Sequence, residues 1–420
     1  MSELISRPLR IGMISYRSNP HCGGQGVYVR NLSRALTDLG HQVEVIAGPP
    51  DPLLDHDVKL SMLDCLNLYD PENMFRVPSA EEFTNPINLI EWLSISTMGY
   101  PEPFTFGFRA WNYLKSRLDQ FDIIHDNQSL SYGIWAISKK IPTVATIHHP
   151  ISVDRKIAVN SVTSAWKKFK HYRWYSFIGM QKRVAKHLQK IITVSDFSRD
   201  DIISEFDLDQ KRFNVVPNGI DTNIFYPIPE IPRDPDRIIV TNSADTALKG
   251  LYYLLQAVHE ISKKRPIKLT VIGTPKKNGG IEKLVEKLQI ADLIDFTGRI
   301  TDEEFVKQYA KASIAVVPSV YEGFGLPVGE AMASGIPVIS TTGGALPEVA
   351  GDAAVLVPPE NPGALAKAIV ELLDDPERAE KLGKAGYKRV MEQFTWKNAA
   401  EKTVEAYRET ISGYNKLKQN

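Results

Sequence analysis

Cysteine is nearly absent from this chain, which has only Cys22 and Cys65 among its 420 residues. Two cysteines cannot form a disulfide framework, so we expect packed cores and a reducing compartment, the cytoplasm. An excess of charge is also lacking, because 50 basic residues balance 50 acidic ones, and no overall field attracts nucleic acid. No stretch approaches the roughly 18 apolar residues of a membrane span, and residues 1–10 lack the apolar run of a signal peptide.

Short apolar runs alternate with longer amphipathic ones along the whole chain. The short runs are rich in β-branched residues, which is typical of strands buried on both faces of a parallel sheet. We predict strands at 10–15, 42–47, 122–125, 143–148, 190–195, 214–217, 237–241, 268–273, 294–297, 314–318, 337–340 and 354–357. Helical patterns lie between them, for example at 27–39, 251–263 and 362–373. The alternation predicts an α/β fold with doubly wound sheets.

The length of the chain suits two domains of about 200 residues each. Prolines at 227, 229, 232 and 235 indicate a semi-rigid linker at 221–235. We therefore predict one domain over 1–220 and a second over 236–395. Doubly wound sheets bind ligands beyond the carboxyl ends of their strands, so two such domains facing each other would form a central cleft.

Residues 67–108 interrupt the alternation with five prolines and many aromatic side chains. A connection of this length is often functional, which favours a segment that shapes the substrate pocket of the first domain. The alternative is a helical insertion that simply covers the core. The sequence leaves both interpretations open.

A glycine-rich loop, with glycines at 23, 24 and 26, follows the first predicted strand and leads into a helix. Glycine lets the backbone approach a ligand closely, and the N–H groups of a helix N-terminus suit a phosphate. Gly24, Gly26 and Glu44 also match part of a dinucleotide-binding fingerprint, although the third glycine position is Val29. A tight strand-to-helix turn without a ligand is the alternative.

The second glycine-rich segment extends from Pro318 to Ala333 and follows another predicted strand. Its glycines would expose backbone N–H groups, and Pro327 suits the first turn of the next helix. Glu322 and Glu330 flank these glycines, and each carboxylate can accept bonds from two hydroxyl groups. This arrangement favours a ligand that combines negative charge with hydroxyl groups.

Glu322 and Glu330 have the E-x7-E spacing of retaining glycosyltransferases with the GT-B fold. The surrounding sequence, EGFGLPVGEAMASGIPV, resembles family 4 of these enzymes. The resemblance extends along nearly the whole chain through segments 193–195, 216–221, 298–299, 343–348 and 394–407. It implies two Rossmann-like domains facing a central cleft, the first binding the acceptor and the second binding a nucleotide sugar. It also implies that a C-terminal helix of about 396–420 packs back on the first domain.

The resemblance implies three catalytic residues. His148, with its neighbour His149 as the rival, would lie near the sugar and the phosphate, and Glu322 would hold the donor sugar. Lys249 would pair with the diphosphate. Members of the family usually add an arginine five residues before this lysine, where this chain has Ala244. One of two expected cations is therefore missing.

The donor-binding residues implied by the resemblance surround the diphosphate, the ribose and the base. Glu330 would bind the ribose, and Gly298 with Arg299 would lie near the base. The remaining residues would contact the sugar and diphosphate mainly through their backbone: Gly23, Gly24, Gly323, Phe324, Gly325 and Leu326.

The implied activity is that of a hexosyltransferase that moves a sugar from a nucleoside diphosphate sugar to an unidentified acceptor, lipid-linked or a glycan precursor, with retention. No cofactor is implied, and no residue cluster has the spacing of metal ligands. Three alternatives remain open. They are an NAD-dependent oxidoreductase, a sugar-nucleotide epimerase and, because of Ala244, a nucleotide-sugar-binding pseudoenzyme.

Residues 155–195 contain no aspartate or glutamate, although ten lysines and arginines and several aromatic residues lie there. Basic side chains are attracted to anionic lipid, and aromatic ones favour the membrane interface. One interpretation is peripheral contact of 155–190 with the inner face of the membrane or with an anionic, lipid-linked acceptor. The other is a solvated basic helix whose aromatics pack in the core. Nucleic acid is not expected, because no binding module accompanies these charges.

Overall fold

The computed structural model describes residues 7–18, 24–69, 73, 76–241 and 247–419. These residues form two compact units. Unit 1 comprises the described residues up to Val194, Ser198–Val216 and the residues from Ala399 onward. Unit 2 comprises Ser195–Phe197 and Pro217–Asn398, so it begins before the predicted linker at 221–235.

The sheet of unit 1 has seven strands within the described residues, and all of its pairings are parallel. The strands are β1 (Arg10–Ser15), β2 (Gln42–Ala47), β3 (Lys59–Met62), β4 (Ile123–Asn127), β5 (Thr143–Ile147), β6 (Lys190–Thr193) and β7 (Phe213–Val215). Their order is β3-β2-β1-β4-β5-β6-β7. The order reverses between β1 and β4, and such a switch point opens a crevice beyond the carboxyl ends of the strands.

Helices connect these strands. They are α1 (Gly24–Asp38), α2 (Pro86–Ser96), α3 (Glu102–Leu114), α4 (Tyr132–Ser138), α5 (Ile151–Asn160), α6 (Ala165–Trp174), α7 (Ile178–Ala185) and α8 (Asp196–Phe206). Helix α3 packs into the core through Phe106 and Ala110, beside Ile14 and Ile124 of the sheet. Part of the segment 67–108 is therefore a helical cover of the core, as one of the two interpretations expected.

The sheet of unit 2 has six parallel strands in the order β10-β9-β8-β11-β12-β13 within the described residues. They are β8 (Asp234–Thr241), β9 (Lys268–Ile272), β10 (Ile294–Phe296), β11 (Ala312–Val317), β12 (Val338–Thr341) and β13 (Val355–Val357). The helices are α9 (Leu251–Ser262), α10 (Gly280–Leu288), α11 (Asp302–Lys311), α12 (Leu326–Ala333), α13 (Leu346–Ala350), α14 (Pro362–Leu373) and α15 (Pro376–Gln393). The switch point of this sheet lies between β8 and β11.

The last helix, α16 (Trp396–Gln419), belongs to unit 1 from Ala399 onward. Tyr407 anchors it, because its hydroxyl lies 2.6 Å from Nδ1 of His125. The other ring nitrogen of His125 lies 2.7 Å from the hydroxyl oxygen of Thr146 on β5. Burial lowers the pKa of His125 to about 3, so this histidine is a neutral structural link between α16 and the sheet.

Two parallel doubly wound sheets confirm the predicted α/β architecture. Each predicted strand is present within a few residues, whereas β3 was not predicted. Among the described helices, none combines the length and the apolar character needed to cross a membrane.

Candidate active site

The best-defined candidate site lies at the carboxyl end of the sheet of unit 2, around its switch point. The segment after β8 ends in a 3-10 turn at Ala247–Lys249, and the segment after β11 carries Glu322. The backbone N–H of Val320 donates to the carbonyl of Leu248 at 2.8 Å, which ties the two segments together. Gly250 permits this approach because it has φ +70°, and a Cβ there would overlap the carbonyl of Pro318.

Lys249 and Glu322 form an ion pair in this site, with 2.7 Å between Nζ and Oε1. The same carboxylate oxygen accepts a bond from the hydroxyl of Ser319 at 2.9 Å. The side chain of Glu322 is 13% exposed and that of Lys249 is 27% exposed, so both are accessible to solvent. Their ion pair restricts the rotation of both side chains. The structure thus brings together two of the three residues predicted to be catalytic.

The glycines after β12 support the segment that carries Glu322. The backbone N–H of Ala345 donates to the carbonyl of Glu322 at 2.9 Å. Gly344 has φ +66°, and a Cβ at this position would overlap the backbone of Glu322. The pair Gly343–Gly344 is therefore required for the close packing of two loops.

Helix α12 begins directly after the glycine-rich loop. Gly325 is its N-cap, with Pro327 in the first turn. Phe324 is buried, and its ring lies 5.9 Å from that of Phe394. The backbone of Gly323 to Leu326 therefore leads into the positive end of a helix dipole, which suits an anion.

Glu330 lies on α12 and is mostly buried. Burial, together with the negative charges of Glu322 and Asp302, raises the pKa of its carboxyl group to about 7. The positive charge of Lys249 acts in the opposite direction. The two glutamates and the lysine of this site are therefore coupled electrostatically.

Gly298 and Arg299 follow β10 at the same end of the sheet. The N–H of Gly298 donates to the carbonyl of Gly273, which follows β9, at 3.2 Å. The side chain of Arg299 is exposed. Both residues follow the edge strand β10, three strands along the sheet from β11, after which Glu322 lies.

Of Gly23, Gly24 and Ala244, only Gly24 lies within the residues that the structure describes. Gly24 is the exposed first residue of α1, and a Cβ built there would meet nothing within 4 Å. Gly23 and Ala244 lie outside the described residues. Within the described residues, no group of three or more His, Cys, Asp or Glu side chains is arranged to hold a metal ion.

In unit 1, His148 follows β5 and is partly buried. Its Nε2 donates to Oδ1 of Asn127 at 2.8 Å, an orientation in which the amide nitrogen of Asn127 points to Ser15 and Gln25. With the proton on Nε2, Nδ1 carries the lone pair and can accept a hydrogen bond. Burial lowers the pKa of His148 to about 3, so the ring is neutral at physiological pH.

The neighbouring His149 has a different environment. Its Nε2 lies 2.9 Å from a carboxylate oxygen of Asp154 on α5, and both side chains are 34% exposed. The side-chain amide of Gln128 binds the backbone of both histidines. It accepts from the N–H of His148 at 2.8 Å and donates to the carbonyl of His149 at 2.9 Å. His148 is therefore the ring held next to the carboxyl end of β4 at the switch point of unit 1.

The structure adds site residues that the motifs do not indicate. Ser319 orients Glu322, and Asn127 with Gln128 orients His148. The polar run that follows the apolar residues of β4 is a signal that points to Asn127 and Gln128. Ser319 has no comparable signal.

Comparisons with known proteins match both halves of the chain. The model of Glycosyltransferase Family 4 matches residues 22–224, and the model of Glycosyl transferases group 1 matches residues 226–389. An MMP α-(1→4)-mannosyltransferase from Mycolicibacterium hassiacum is 43% identical over 409 residues, which cover 96% of this chain and 99% of that protein.

Solved structures are similar over nearly the whole chain. Sucrose-phosphate synthase from Thermosynechococcus elongatus has a TM-score of 0.73 at 25% identity, covering 96% of this chain and 100% of that one. HepE from Anabaena, solved in complex with UDP and glucose, has a TM-score of 0.68 at 14% identity and covers 94% of this chain and 98% of its own. At that identity the likeness to HepE bears on the fold alone.

Proposed function

The chain belongs to the family 4 (group 1) glycosyltransferases with the GT-B fold and is a hexosyltransferase, and we propose that it transfers a mannosyl group from a nucleoside diphosphate mannose to a saccharide acceptor. The choice of sugar follows the activity for which the 43% identical relative is named, that of an α-(1→4)-mannosyltransferase. An α linkage formed from a donor with an α-linked diphosphate requires retention at the anomeric carbon. Because the chain belongs to this family, we no longer consider an oxidoreductase or an epimerase.

The observation that carries the proposal is the group of Lys249, Glu322 and Glu330 at the switch point of unit 2. A cation beside the positive end of α12 suits a diphosphate. Two carboxylates, one beside the glycine-rich loop and one on the helix that follows it, suit hydroxyl groups of a sugar and a ribose. A nucleoside diphosphate sugar combines all three features.

The reaction separates charge. The bond between the anomeric carbon and the phosphate oxygen breaks, and its electron pair stays on the departing diphosphate. Lys249 and the backbone N–H groups would stabilise that charge electrostatically. The acceptor oxygen forms the new bond on the same face of the sugar, and its proton passes to the departing diphosphate. No side chain has to act as a nucleophile or a base in this scheme.

His148 would position the donor sugar. A neutral ring whose Nε2–H is bound to Asn127 leaves Nδ1 to accept a hydrogen bond from a sugar hydroxyl. A hydrogen bond that strengthens in the transition state accelerates the reaction. This role needs no titration of His148 near neutral pH.

Replacing His148 by alanine is expected to lower kcat about tenfold to 100-fold, because one oriented hydrogen bond to the reacting sugar is lost. His149→Ala, the matched control, is expected to stay within about twofold of wild type, because that ring pairs with a partly exposed carboxylate. Steady-state kinetics of both variants check the assignment. Equal losses in the two variants, or a larger loss for His149, would overturn it.

The proposed activity is tested with the purified chain, a panel of nucleoside diphosphate sugars and manno-oligosaccharides as acceptors. We expect transfer from a mannosyl donor, and NMR of the first product formed should show the α configuration. A β product contradicts retention, and transfer of a different hexose contradicts the choice of sugar. Tight binding of the donor with no transfer and no hydrolysis would favour the pseudoenzyme that Ala244 suggests.

Donor binding is expected to depend on pH through Glu330. A carboxylate that accepts two ribose hydroxyls must be ionised, yet burial raises its pKa to about 7 in the ligand-free protein. Affinity should therefore rise about tenfold from pH 6 to pH 8. Because the folded pKa lies above the unfolded one, the stability linked to this group is present below about pH 4.5 and is lost as the pH rises through 7, about 3 kcal/mol in total.

Calorimetry with an intact nucleoside diphosphate sugar checks this dependence, since the bridging diphosphate does not titrate between pH 6 and 8. Glu330→Gln should bind more weakly than wild type at pH 8 and show no rise in affinity with pH. The same variant should be the more stable protein at pH 8 without ligand. A wild-type affinity that does not change between pH 6 and 8 would exclude the ribose role of Glu330.

The position of the enzyme in the cell is part of the proposal. We propose peripheral contact of the segment 155–190 with the inner face of the membrane, where a lipid-linked acceptor or glycan precursor would be presented. Four of its cations are paired with carboxylates in unit 1: Lys156, Lys182, Lys186 and Lys190. The charge available to lipid is therefore concentrated in α6.

A further inference from the structure

Helix α6 lies on the surface of unit 1 without a single buried residue. Trp166, Phe169 and Tyr172 recur at every third position, and each is between 51% and 57% exposed. The rings of Trp166 and Phe169 stack on each other, with centroids 5.4 Å apart. Three large exposed aromatic side chains on one helix form an apolar patch of the kind that marks an interaction surface.

Helix α2 has a charged residue that faces the protein interior and apolar residues that face solvent. Glu91 is buried and pairs with Arg109 of α3, with 2.5 Å between the carboxylate and the guanidinium and both side chains at most 6% exposed. Leu89 and Leu93 lie on the opposite side of the helix and Ile90 on its flank, and all three are between 41% and 48% exposed. In a helix that faces water, the leucines would be buried and the glutamate exposed.

The two helices meet at their carboxyl ends. The guanidinium of Arg173 on α6 donates to the hydroxyl of Thr97, the C-cap of α2, at 2.9 Å. Trp174 of α6 stacks on Tyr100, with ring centroids 5.0 Å apart. The exposed apolar residues of α2 and α6 therefore belong to one joined part of unit 1, which we call the α2–α6 surface.

Cations interleave with the aromatics on this surface. Lys167, Lys168 and Lys170 form no salt bridge in the part of the chain that the structure describes, and the ammonium of Lys170 lies 5.6 Å from the ring centre of Trp166. Basic and aromatic side chains mixed on one exposed helix are typical of helices that lie in the interface of an anionic bilayer.

We propose that the α2–α6 surface docks the enzyme on an anionic lipid bilayer, with the lysines of α6 at the headgroups and the apolar residues of α2 and α6 in the interface. The proposal deepens the membrane contact proposed above and adds α2 to it. A second copy of this chain is a poorer occupant, because a two-fold contact would bring the α6 lysines of both copies together. A neutral glycan would leave these cations without partners.

Co-sedimentation of the full-length protein with vesicles tests the proposal. We expect binding to phosphatidylcholine vesicles that contain phosphatidylglycerol, little binding to pure phosphatidylcholine, and release at high salt. The triple variant Lys167→Gln, Lys168→Gln, Lys170→Gln should bind about 100-fold more weakly, since each cation near such a surface contributes about fivefold. Leu89→Ser, Ile90→Ser, Leu93→Ser should weaken binding at least about tenfold.

The matched controls lie in unit 2. Lys381→Gln, Lys384→Gln, Lys388→Gln on α15 removes the same charge from an exposed helix, and Tyr252→Ser removes an apolar residue that is similarly exposed. Both should bind vesicles like wild type. Equal losses in the α6 and α15 variants, no binding at low salt, or self-association in sedimentation velocity that the α6 variant abolishes would each overturn the proposal. Transfer to a water-soluble acceptor should be unchanged in all of these variants, so failure of the glycosyl transfer itself is detected separately.

Discussion

Glutamine in place of Glu322 is expected to lower turnover about 100-fold, on the order of 3 kcal/mol at the transition state. The amide keeps the size of the side chain and can still accept from Ser319, but it loses the charge that pairs with Lys249. If Glu322 holds the reacting sugar, the loss appears in kcat. Binding of the nucleoside diphosphate should stay within about threefold or tighten, because a negative charge near the diphosphate is removed.

Kinetics with the intact donor and calorimetry with the nucleoside diphosphate separate these two effects. Glu371→Gln is the matched control, because this exposed glutamate of α14 makes, among the described residues, only a surface pair with Lys367. It should behave like wild type in both measurements. A Glu322→Gln enzyme that turns over normally, or one that loses nucleotide affinity and rate in equal measure, would show that Glu322 does not act on the sugar.

The predicted strands are found because parallel strands buried on both faces leave uninterrupted apolar runs in the sequence. Strand β3 is the exception. Within the described part of the sheet it is an edge strand that pairs only with β2, and its residues Lys59–Met62 are largely exposed. An edge strand of this kind has no apolar run in the sequence. It is recognised only from its backbone hydrogen bonds to the neighbouring strand β2.

The candidate site is predicted in part. The two glutamates, the lysine and the glycines stand in a recognisable spacing along the chain. Asn127 does not, because it acts on His148, which follows a different strand. Ser319 is only three residues from Glu322, but a serine at that distance belongs to no recognised motif. Which side of helix α2 faces the core could not be predicted for the same reason as Asn127. Its apolar sequence indicates a buried helix, and only the position of Arg109 on α3 explains why Glu91 is on the inside.

Replacing Lys249 by alanine is expected to have the largest effect, a fall in kcat/KM of about 1,000-fold. Lys249 is the cation that the structure places against Glu322 at the switch point of unit 2, and the chain has Ala244 where the family resemblance leads us to expect a second cation. Removing it also leaves the carboxylate of Glu322 without its partner, next to the position proposed for the diphosphate. Binding of the nucleoside diphosphate should therefore weaken about 30-fold, and the rate should fall as well.

A double-mutant cycle with Glu322→Gln tests whether the two residues act as a unit. Independent roles would multiply to a loss of about 100,000-fold, whereas we expect the double variant to lose about 1,000-fold to 10,000-fold. The smaller loss follows because glutamine removes the repulsion that Lys249→Ala creates between Glu322 and the diphosphate. Lys277→Ala, an exposed lysine in the loop after β9 at the same end of the sheet, is the matched control and should change kcat/KM by less than about twofold. If Lys249→Ala binds the nucleoside diphosphate as wild type does, the diphosphate lies elsewhere and the assignment of the donor site to the segment after β8 is wrong.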